Sequence, residues 1–317
     1  MSNAAWNTLD KQNLLKYIMI AGPTASGKSQ LAVDLARALD GEVINADSMQ
    51  LYSDLSILTA RPSSADMRDI VHHLYGVIDG AQRASVAVWL GLAAEAMAAI
   101  RERGRIPIII GGTGMYLNAA VNGIAPIPNV PVKIHNAVTI LFQDIGGAAF
   151  RQKLAALDPT AAAWLVDGDR QRLIRAMGVV TATGTPLSEW QAGAHEGALV
   201  GRPIKLAIMR PREILYQRID DRFDLMLESG VLEEVSRLAK RRLDPTLPLM
   251  KALGLSALIS SLNKEITLEE AVCIGKRDSR HYAKRQMTWL RNNFSAHLTV
   301  NKKLSKSLLE NIFSLIR

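Results

Sequence analysis

The stretch Ile18–Ser29 reads IMIAGPTASGKS, and the pattern QLAVDLARAL follows it at residues 30–39. An apolar run, a glycine-rich turn and a helical periodicity in this order predict a strand, a loop and a helix. The turn matches G-x-x-x-x-G-K-[ST], the motif of the phosphate-binding P-loop.

Each fixed position of this motif has a physical reason. Gly22 and Gly27 permit backbone angles that let successive N–H groups point at phosphate oxygens. The start of the following helix adds a partial positive charge. Lys28 supplies a full charge, and the Ser29 hydroxyl can ligate Mg²⁺. The alternative is an ordinary glycine turn, and the motif itself does not say which phosphate is bound.

Composition places the chain among ordinary globular proteins. It has 317 residues, of which 48% are hydrophobic and 21% charged, and this argues against a disordered chain. A single cysteine, Cys273, excludes an internal disulfide and suits a reducing cytosol. No apolar stretch approaches the length of a membrane span, and residues 1–16 lack the apolar core of a secretory signal. We therefore expect a cytoplasmic protein without a membrane partner.

Positive charge is concentrated in the second half. Residues 1–150 hold 11 basic and 12 acidic side chains, whereas residues 151–317 hold 27 and 18, which gives net charges of −1 and +9. A basic half joined to a neutral phosphate-binding half suggests a polyanionic partner. A basic protein without such a partner is the equally plain alternative.

Four apolar segments besides Ile18–Ala21 predict a parallel sheet with flanking helices, an α/β fold of the P-loop type. They are Glu42–Ala46, Leu74–Asp79, Ile106–Ile110 and Ile204–Met209. Polar residues just past a strand lie at the ligand-binding edge of such a sheet. Asp47 is therefore predicted to face the P-loop ligand as a general base or metal partner, or else to act as a helix N-cap.

Two other features of the first half are weaker signals. Gly111-Gly112-Thr113-Gly114 forms a second strand–glycine turn–helix unit. His72 and His73 invite a metal interpretation, but neighbours on a strand point to opposite faces, so a structural role is favoured.

Prolines at 126, 128 and 131 predict a hinge, and residues 132–192 have a helical pattern throughout. We expect a P-loop catalytic core at 1–128 and 196–317, with a helical C-terminal part, and an inserted all-helical domain at 129–195. Within the insertion, Arg172 and Arg175 share a helix face, either a solvated one or one that contacts phosphates.

A basic stripe is predicted in the last long helix. Lys276, Arg280 and Lys284 repeat every four residues, with Tyr282 and Trp289 interleaved. Cations beside aromatic rings are a moderate signal of nucleic-acid binding, and would also fit another anionic partner.

These motifs together resemble the tRNA dimethylallyltransferase family. The matching segments run in order over residues 17–291: GPTASGKS at 22–29, EVINADSMQLY at 42–52, HHLYGVID at 72–79, IPIIIGGTGMYL at 106–117, DPTAAA at 158–163, DRQRLIRAMGV at 169–179, TGTPLSEW at 183–190, RIDDRFDLMLESGVLEEV at 218–235 and YAKRQMTWLR at 282–291. The resemblance implies transfer of a dimethylallyl group from dimethylallyl diphosphate to N6 of adenine 37, on the 3′ side of the anticodon, in tRNAs reading codons that begin with U. The partners implied are the tRNA anticodon stem-loop and dimethylallyl diphosphate, and a monomer is adequate.

The resemblance also assigns residues. The catalytic positions it implies are Thr24, Lys28, Asp47 and Arg222, with Asp47 as general base. The diphosphate site is implied at Gly22, Pro23, Thr24, Ala25, Ser26, Gly27, Lys28, Ser29 and Arg222, with Mg²⁺ held through Ser29. The tRNA contacts implied are Asp47, Ser48, Met49, Gln50, Thr113, Lys133, Gln171, Arg172, Leu173, Ile174 and Arg175.

Departures from the family pattern, such as Asp79-Gly80 and Gly254-Leu255, affect only the expected tRNA contacts. Two alternatives remain at this stage: a small-molecule kinase that uses ATP and activates a hydroxyl through Asp47, and a nucleic-acid-binding protein that merely retains the loop. A kinase has no use for the basic stripe, and a binder has no need of Lys28, Ser29, Asp47 and Arg222 together.

Overall fold

The computed structural model describes residues 16–301 and 305–316. The strands are β1 (Lys16–Ala21), β2 (Gly41–Asn45), β3 (His72–His73), β4 (Ile106–Gly111), β5 (Arg202–Ile208) and β6 (Leu298–Val300). The helices are α1 (Lys28–Leu39), α2 (Ser64–Met67), α3 (Val86–Glu102), α4 (Gly114–Asn122), α5 (Val132–Ala155), α6 (Pro159–Trp164), α7 (Arg170–Thr183), α8 (Leu187–Ala192), α9 (Arg212–Glu228), α10 (Val231–Lys240), α11 (Leu255–Leu262), α12 (Leu268–Asn293) and α13 (Lys306–Ile316).

The strands form one parallel sheet in the order β3-β2-β4-β1-β5-β6. Ile108 of β4 pairs with Ile18 on one side and Val43 on the other, and all three are fully buried against α1. The predicted α/β class is confirmed. Because the strands run parallel, the segments that follow β1, β2, β4 and β5 all emerge at one edge of the sheet.

Local sequence explains where the main helices begin and end. Gly27, with φ of 93°, precedes α1, and the N–H of Asp40 donates to the Ala36 carbonyl where α1 ends. Thr267 and Glu270 form a capping box, which satisfies two otherwise free N–H groups at the start of α12.

The third strand differs from the prediction. The strand is His72–His73, paired with Val43 and Ile44 of β2, and not Leu74–Asp79. Leu74 and Gly76 adopt positive φ angles of 64° and 65°, which a strand cannot continue through.

The histidine pair has the structural role that was favoured. His73 Nε2 lies 2.7 Å from Glu42 Oε2, and His72 Nδ1 lies 2.9 Å from the Ile70 carbonyl. Glu42 also accepts hydrogen bonds from Arg103 and Arg105. This charge cluster stands near the amino end of β2, at the other end of the strand from Asp47.

The C-terminal part contains elements that the pattern missed. β6 extends the sheet beside β5, and α13 contributes Ile312 and Ile316 to the main core. Two separate elements occupy residues 248–262. Gly254, with φ of 78°, separates a 3₁₀ turn at Pro248–Lys251 from α11.

By compactness the chain divides into two units, residues 1–121 with 199–317, and residues 122–198. The first unit holds the sheet. The second holds α5 to α8, around a core that includes Phe150, Leu154, Leu173 and Met177. The boundaries predicted for the insertion, 129 and 195, fall within the second unit.

Candidate active site

The P-loop joins β1 to α1 with a backbone that few side chains tolerate. Ala25 and Gly27 have φ angles of 60° and 93°. A Cβ on Gly22 would stand 2.7 Å from Ser26 Oγ, so a larger residue there would displace the Ser26 side chain. Gly22, Pro23 and Ser26 are buried and shape the loop. The remaining residues of the motif line the cavity above it, namely Thr24, Ala25, Gly27, Lys28 and Ser29.

Lys28 is the most perturbed cation of the loop. Its Nζ lies 3.4 Å from the Pro23 carbonyl. Burial lowers the pKa of Lys28 to about 8; the Asp47 carboxylate opposes this and Arg222 adds to it. The ammonium is charged at neutral pH, and a bound anion would hold it so.

Three arginines from the segment after β5 also reach the P-loop. Arg210 Nε donates to the Ser26 carbonyl at 2.6 Å, and Arg222 Nη2 donates to Thr24 Oγ1. Arg218, one turn before Arg222 on α9, lines the same cavity. The resemblance assigned only Arg222. The i, i+4 spacing of Arg218 and Arg222 and the place of Arg210 just past β5 were the signals that could have found the others.

Asp47 follows β2 and is fixed by its own turn. Its N–H donates to Asn45 Oδ1 at 2.8 Å, and its Oδ1 accepts from the Met49 N–H at 3.0 Å. Ser48 N–H donates to Thr113 Oγ1 at 3.1 Å, which ties this turn to the loop after β4. The Asp47 side chain therefore accepts a backbone N–H two residues ahead, as a turn-capping residue does, and also lines the cavities of the site.

Two cavities meet at this point. The P-loop cavity, of about 530 Å³, is bounded by the P-loop, Gln50, residues 59–62 and α9. The Tyr282 cavity, of about 260 Å³, is bounded by Ser48, Met49, Leu58, apolar side chains of α9, and Tyr282. The residues common to both are Thr24, Asp47, Thr59 and Arg222. A group bound in one cavity can thus meet a group bound in the other beside a carboxylate, a hydroxyl and a guanidinium.

Helix α12 contacts the P-loop and the loop after β4 through Gln286. Gln286 Oε1 accepts from the Thr24 N–H at 2.8 Å, and its Nε2 donates to the Gly112 carbonyl at 2.9 Å. Burial, and secondly the charge of Asp47, raise the pKa of Tyr282 to about 12. Tyr282 stays protonated at neutral pH and can donate a hydrogen bond. Sequence reasoning assigned neither Gln286 nor Tyr282 to the site.

The basic stripe on α12 is not a free cationic face. Lys276 pairs with Asp224 at 2.6 Å, and Arg280 pairs with Asp220 at 2.6 Å, both acids being on α9. Two of the three predicted cations thus join helices, and this corrects the prediction. The polar side chains that remain exposed beside Trp289 are His281, Lys284, Arg285, Thr288, Asn292 and Asn293.

The residues implied as tRNA contacts divide between the two units. Asp47, Ser48 and Met49 line the Tyr282 cavity. Gln50 lies in the P-loop cavity, and its Nε2 donates to the carbonyls of Thr59 and Ala60 at 2.9 Å each.

In the second unit, Lys133 is exposed near the start of α5, and Gln171, Arg172 and Arg175 are exposed on α7. The side chains of Leu173 and Ile174 are buried in the core of that unit. These two side chains are therefore not available for a direct contact with RNA.

The fold and the site define a P-loop protein of the α/β class, with four cations and the Asp47 carboxylate close to the P-loop. The sequence model of the family described as IPP transferase matches residues 50–293. A second model, described as isopentenyl transferase, matches residues 15–77. The chain belongs to the IPP transferase family.

Similar proteins agree with this. A tRNA dimethylallyltransferase of Rhodopseudomonas palustris is 47% identical over 296 residues, covering 93% of this chain and 92% of the relative. One of Parvibaculum lavamentivorans is 48% identical over 301 residues, covering 95% and 96%. These relatives do not favour the kinase alternative.

Solved structures are similar over the same length. The tRNA isopentenylpyrophosphate transferase of Bacillus halodurans aligns with a TM-score of 0.69 and 32% identity, covering 95% of this chain and 96% of that one. A eukaryotic dimethylallyltransferase acting on tRNA aligns with a TM-score of 0.76 and 28% identity, covering 90% and 74%. Within the described residues, no helix is both long enough and apolar enough to cross a membrane.

Proposed function

We propose that this protein transfers the dimethylallyl group of dimethylallyl diphosphate to N6 of adenine 37, next to the anticodon, in tRNAs that read codons beginning with U. The observation that carries the proposal is the junction of the two cavities at Thr24, Asp47 and Arg222. A phosphate site and a second substrate site that share a carboxylate suit a transfer between two bound partners.

The leaving group is the first requirement of this chemistry. The bond between C1 of the allyl group and the diphosphate oxygen breaks, and its electron pair leaves with the diphosphate. Negative charge grows on that oxygen, so fixed cations aimed at it lower the barrier. The P-loop N–H groups, Lys28 and Arg222 supply this stabilisation, and Thr24 is oriented by its hydrogen bond from Arg222.

The nucleophile is the second requirement. The adenine N6 forms the new bond to C1 and must lose one proton. The Asp47 carboxylate takes that proton as general base. Adenine has to leave the base stack to bring N6 into the Tyr282 cavity, as enzymes that modify bases require. Asp47, Ser48 and Met49 would line the extruded base.

Mg²⁺ fits the P-loop cavity as a cofactor. In P-loops the Ser or Thr hydroxyl is a usual Mg²⁺ ligand, and carboxylates and substrate phosphates complete the coordination; Ser29 and Asp47 both line this cavity. Among residues 16–301 and 305–316, no cluster of three or more histidine, cysteine or acidic side chains forms a separate metal cage. When bound, the ion would neutralise charge on the diphosphate.

The remaining assignments concern tRNA and the place of action. The helical unit binds tRNA through its exposed Lys133, Gln171, Arg172 and Arg175. Thr113 acts through Ser48, whose N–H it accepts. One chain carries the contacts to both substrates, so a monomer working in the cytoplasm is sufficient.

The test is transfer of label from radiolabelled dimethylallyl diphosphate to unmodified tRNA, with Mg²⁺ and with or without ATP. We expect label in the RNA, at adenine 37, without ATP. A tRNA with guanine at that position is the matched control and should stay unlabelled. Failure of transfer, together with ATP consumption on small hydroxyl compounds, would refute the proposal in favour of a kinase.

A further inference from the structure

Glu234 is a buried carboxylate outside both cavities. It lies on α10, is 2% exposed, and accepts hydrogen bonds from four uncharged donors. These are Ser56 N–H at 2.6 Å, Ser56 Oγ at 2.8 Å, Ile57 N–H at 2.9 Å and Leu58 N–H at 2.9 Å. Three successive backbone N–H groups thus converge on one side chain that is 176 or more residues away.

The segment held in this way, residues 56–62, is here called the wall loop, because it lines both cavities. Leu58 and Thr59 line the Tyr282 cavity. Thr59 lines the P-loop cavity as well, together with the next three residues up to Pro62. Thr59 is one of the four residues at the junction, so its position bears on both substrates.

The wall loop is also held by hydrogen bonds within itself and with residues 50–55. Arg61 N–H donates to the Ser56 carbonyl at 2.9 Å, and Gln50 Nε2 donates to two carbonyls of the loop. The only carboxylate among these partners is that of Glu234, and it accepts the N–H groups at the start of the loop. An acceptor with a full charge makes stronger hydrogen bonds than a neutral one.

A second contact keeps α10 in place relative to this region. Arg241, just past α10, forms ion pairs with Asp54 and, at 2.8 Å, with Asp79. Asp54 lies two residues before the wall loop. The carboxyl end of α10 is therefore fixed against the same region that Glu234 contacts, and the Glu234 carboxylate meets the loop from an anchored helix.

We propose that Glu234 is a positioning residue for the transfer reaction, which sets the wall loop and so the shape of the junction where the substrates meet. The inference rests on the proposed function, and it names a residue that touches neither substrate. A general structural role would instead make Glu234 matter to the whole fold equally.

The substitution E234Q separates these roles. Glutamine keeps the length of the side chain but turns an NH₂ group toward N–H donors that need an acceptor. The wall loop should loosen while α10 stays folded. Bound diphosphate substrate then has to reorder the loop, so part of its binding energy is lost and its KM rises, whereas the bound complex reacts almost as before.

The experiment compares wild type, E234Q and E233Q in label transfer and in amide hydrogen exchange. Glu233 is the adjacent, exposed glutamate of α10, so E233Q makes the same charge change without touching the loop. We expect E234Q to raise KM for dimethylallyl diphosphate about tenfold and to change kcat less than threefold. Exchange protection should fall in residues 56–61 alone and return with saturating dimethylallyl diphosphate. E233Q should match wild type.

Three results would overturn the inference: unchanged KM in folded E234Q, an equal effect in E233Q, or loss of protection throughout the protein. The last would make Glu234 a residue of general stability. If wild type itself transfers no label, the proposed function fails, and the exchange comparison still decides whether Glu234 holds the wall loop.

Discussion

Replacing Asp47 by asparagine is the sharpest test of the chemistry. Asparagine keeps an Oδ1 acceptor for the Met49 N–H, which the aspartate accepts at 3.0 Å, so the turn after β2 should survive. What is lost is the proposed proton acceptor and the negative charge at the junction. General bases contribute a factor of roughly 10²–10⁴ to rate. Since the geometry is kept, we expect kcat to fall about a thousandfold, which corresponds to about 4 kcal/mol.

The assay is single-turnover transfer to tRNA at saturating diphosphate substrate, with tRNA affinity measured separately by fluorescence anisotropy. Affinity should stay within threefold of wild type. The charge change also has a second signature. Asp47 raises the pKa of Lys28, so D47N should move the decline in diphosphate binding to lower pH. D244N is the control, because Asp244 is exposed, lines neither cavity and should leave turnover unchanged. A parallel loss of tRNA affinity and turnover would refute the role of Asp47 as base.

Three further predictions concern binding and stability. R222A removes the partner of Thr24 Oγ1 and, in the proposed mechanism, one cation that faces the leaving group. kcat/KM for the diphosphate should fall about 10²-fold, and an unchanged value would contradict a role of Arg222 in the site. Lys28 has a pKa of about 8 in the free protein, so its charge is present below that pH and kcat/KM for the diphosphate should decline above it. K28R should abolish this decline, and a flat profile up to pH 9.5 in the wild type would contradict the prediction. Glu42 has its pKa lowered to about 2: burial opposes this, but hydrogen bonds from Arg103, His73 and Arg105 prevail. A depressed carboxylate pKa stabilises the fold above its ordinary value of 4.5 and loses that effect as pH falls toward 2; urea unfolding should therefore show E42Q less stable by on the order of 3 kcal/mol at pH 7 and nearly equal to wild type near pH 2.

The edge of the sheet that carries the site could be predicted from the sequence, whereas the order of the strands could not. Asp47 was expected to face the P-loop because polar residues just past a parallel strand lie at the ligand-binding edge of the sheet. In the structure β4 lies between β1 and β2, and the last residue of β4 has no room for a side chain. A Cβ on Gly111 would stand 2.2 Å from the Ala46 carbonyl. Gly111 and Gly112 were visible in the sequence. The need for glycine at 111 comes from the neighbouring Ala46, and the sequence does not identify that neighbour.

The supporting residues were missed because their partners are remote. Gln286 bonds to Thr24 across 262 positions, and Arg210 bonds to the P-loop across 184. No periodic pattern encodes such a pair. The pairing of α12 with α9 was more accessible, since Lys276 and Arg280 are four apart and so are the acids that they meet on α9. Complementary charges at matching spacing on two helices predict a helix pair as readily as a nucleic-acid surface.

The position of the carboxylate gives a physical reason why this P-loop suits transfer between two substrates. Nucleotide hydrolases often carry an acid at the end of a strand beside the P-loop strand, where it holds the metal. Here β4 lies beside β1 and ends in Gly111, where a Cβ would stand 2.2 Å from the backbone carbonyl oxygen of Ala46. An acidic side chain is thus sterically excluded at that place. The carboxylate comes instead from the next strand, where it faces the Tyr282 cavity as well as the P-loop. From there it can accept a proton from a nucleophile that arrives opposite the phosphates, which is what a prenyl transfer to an amine requires.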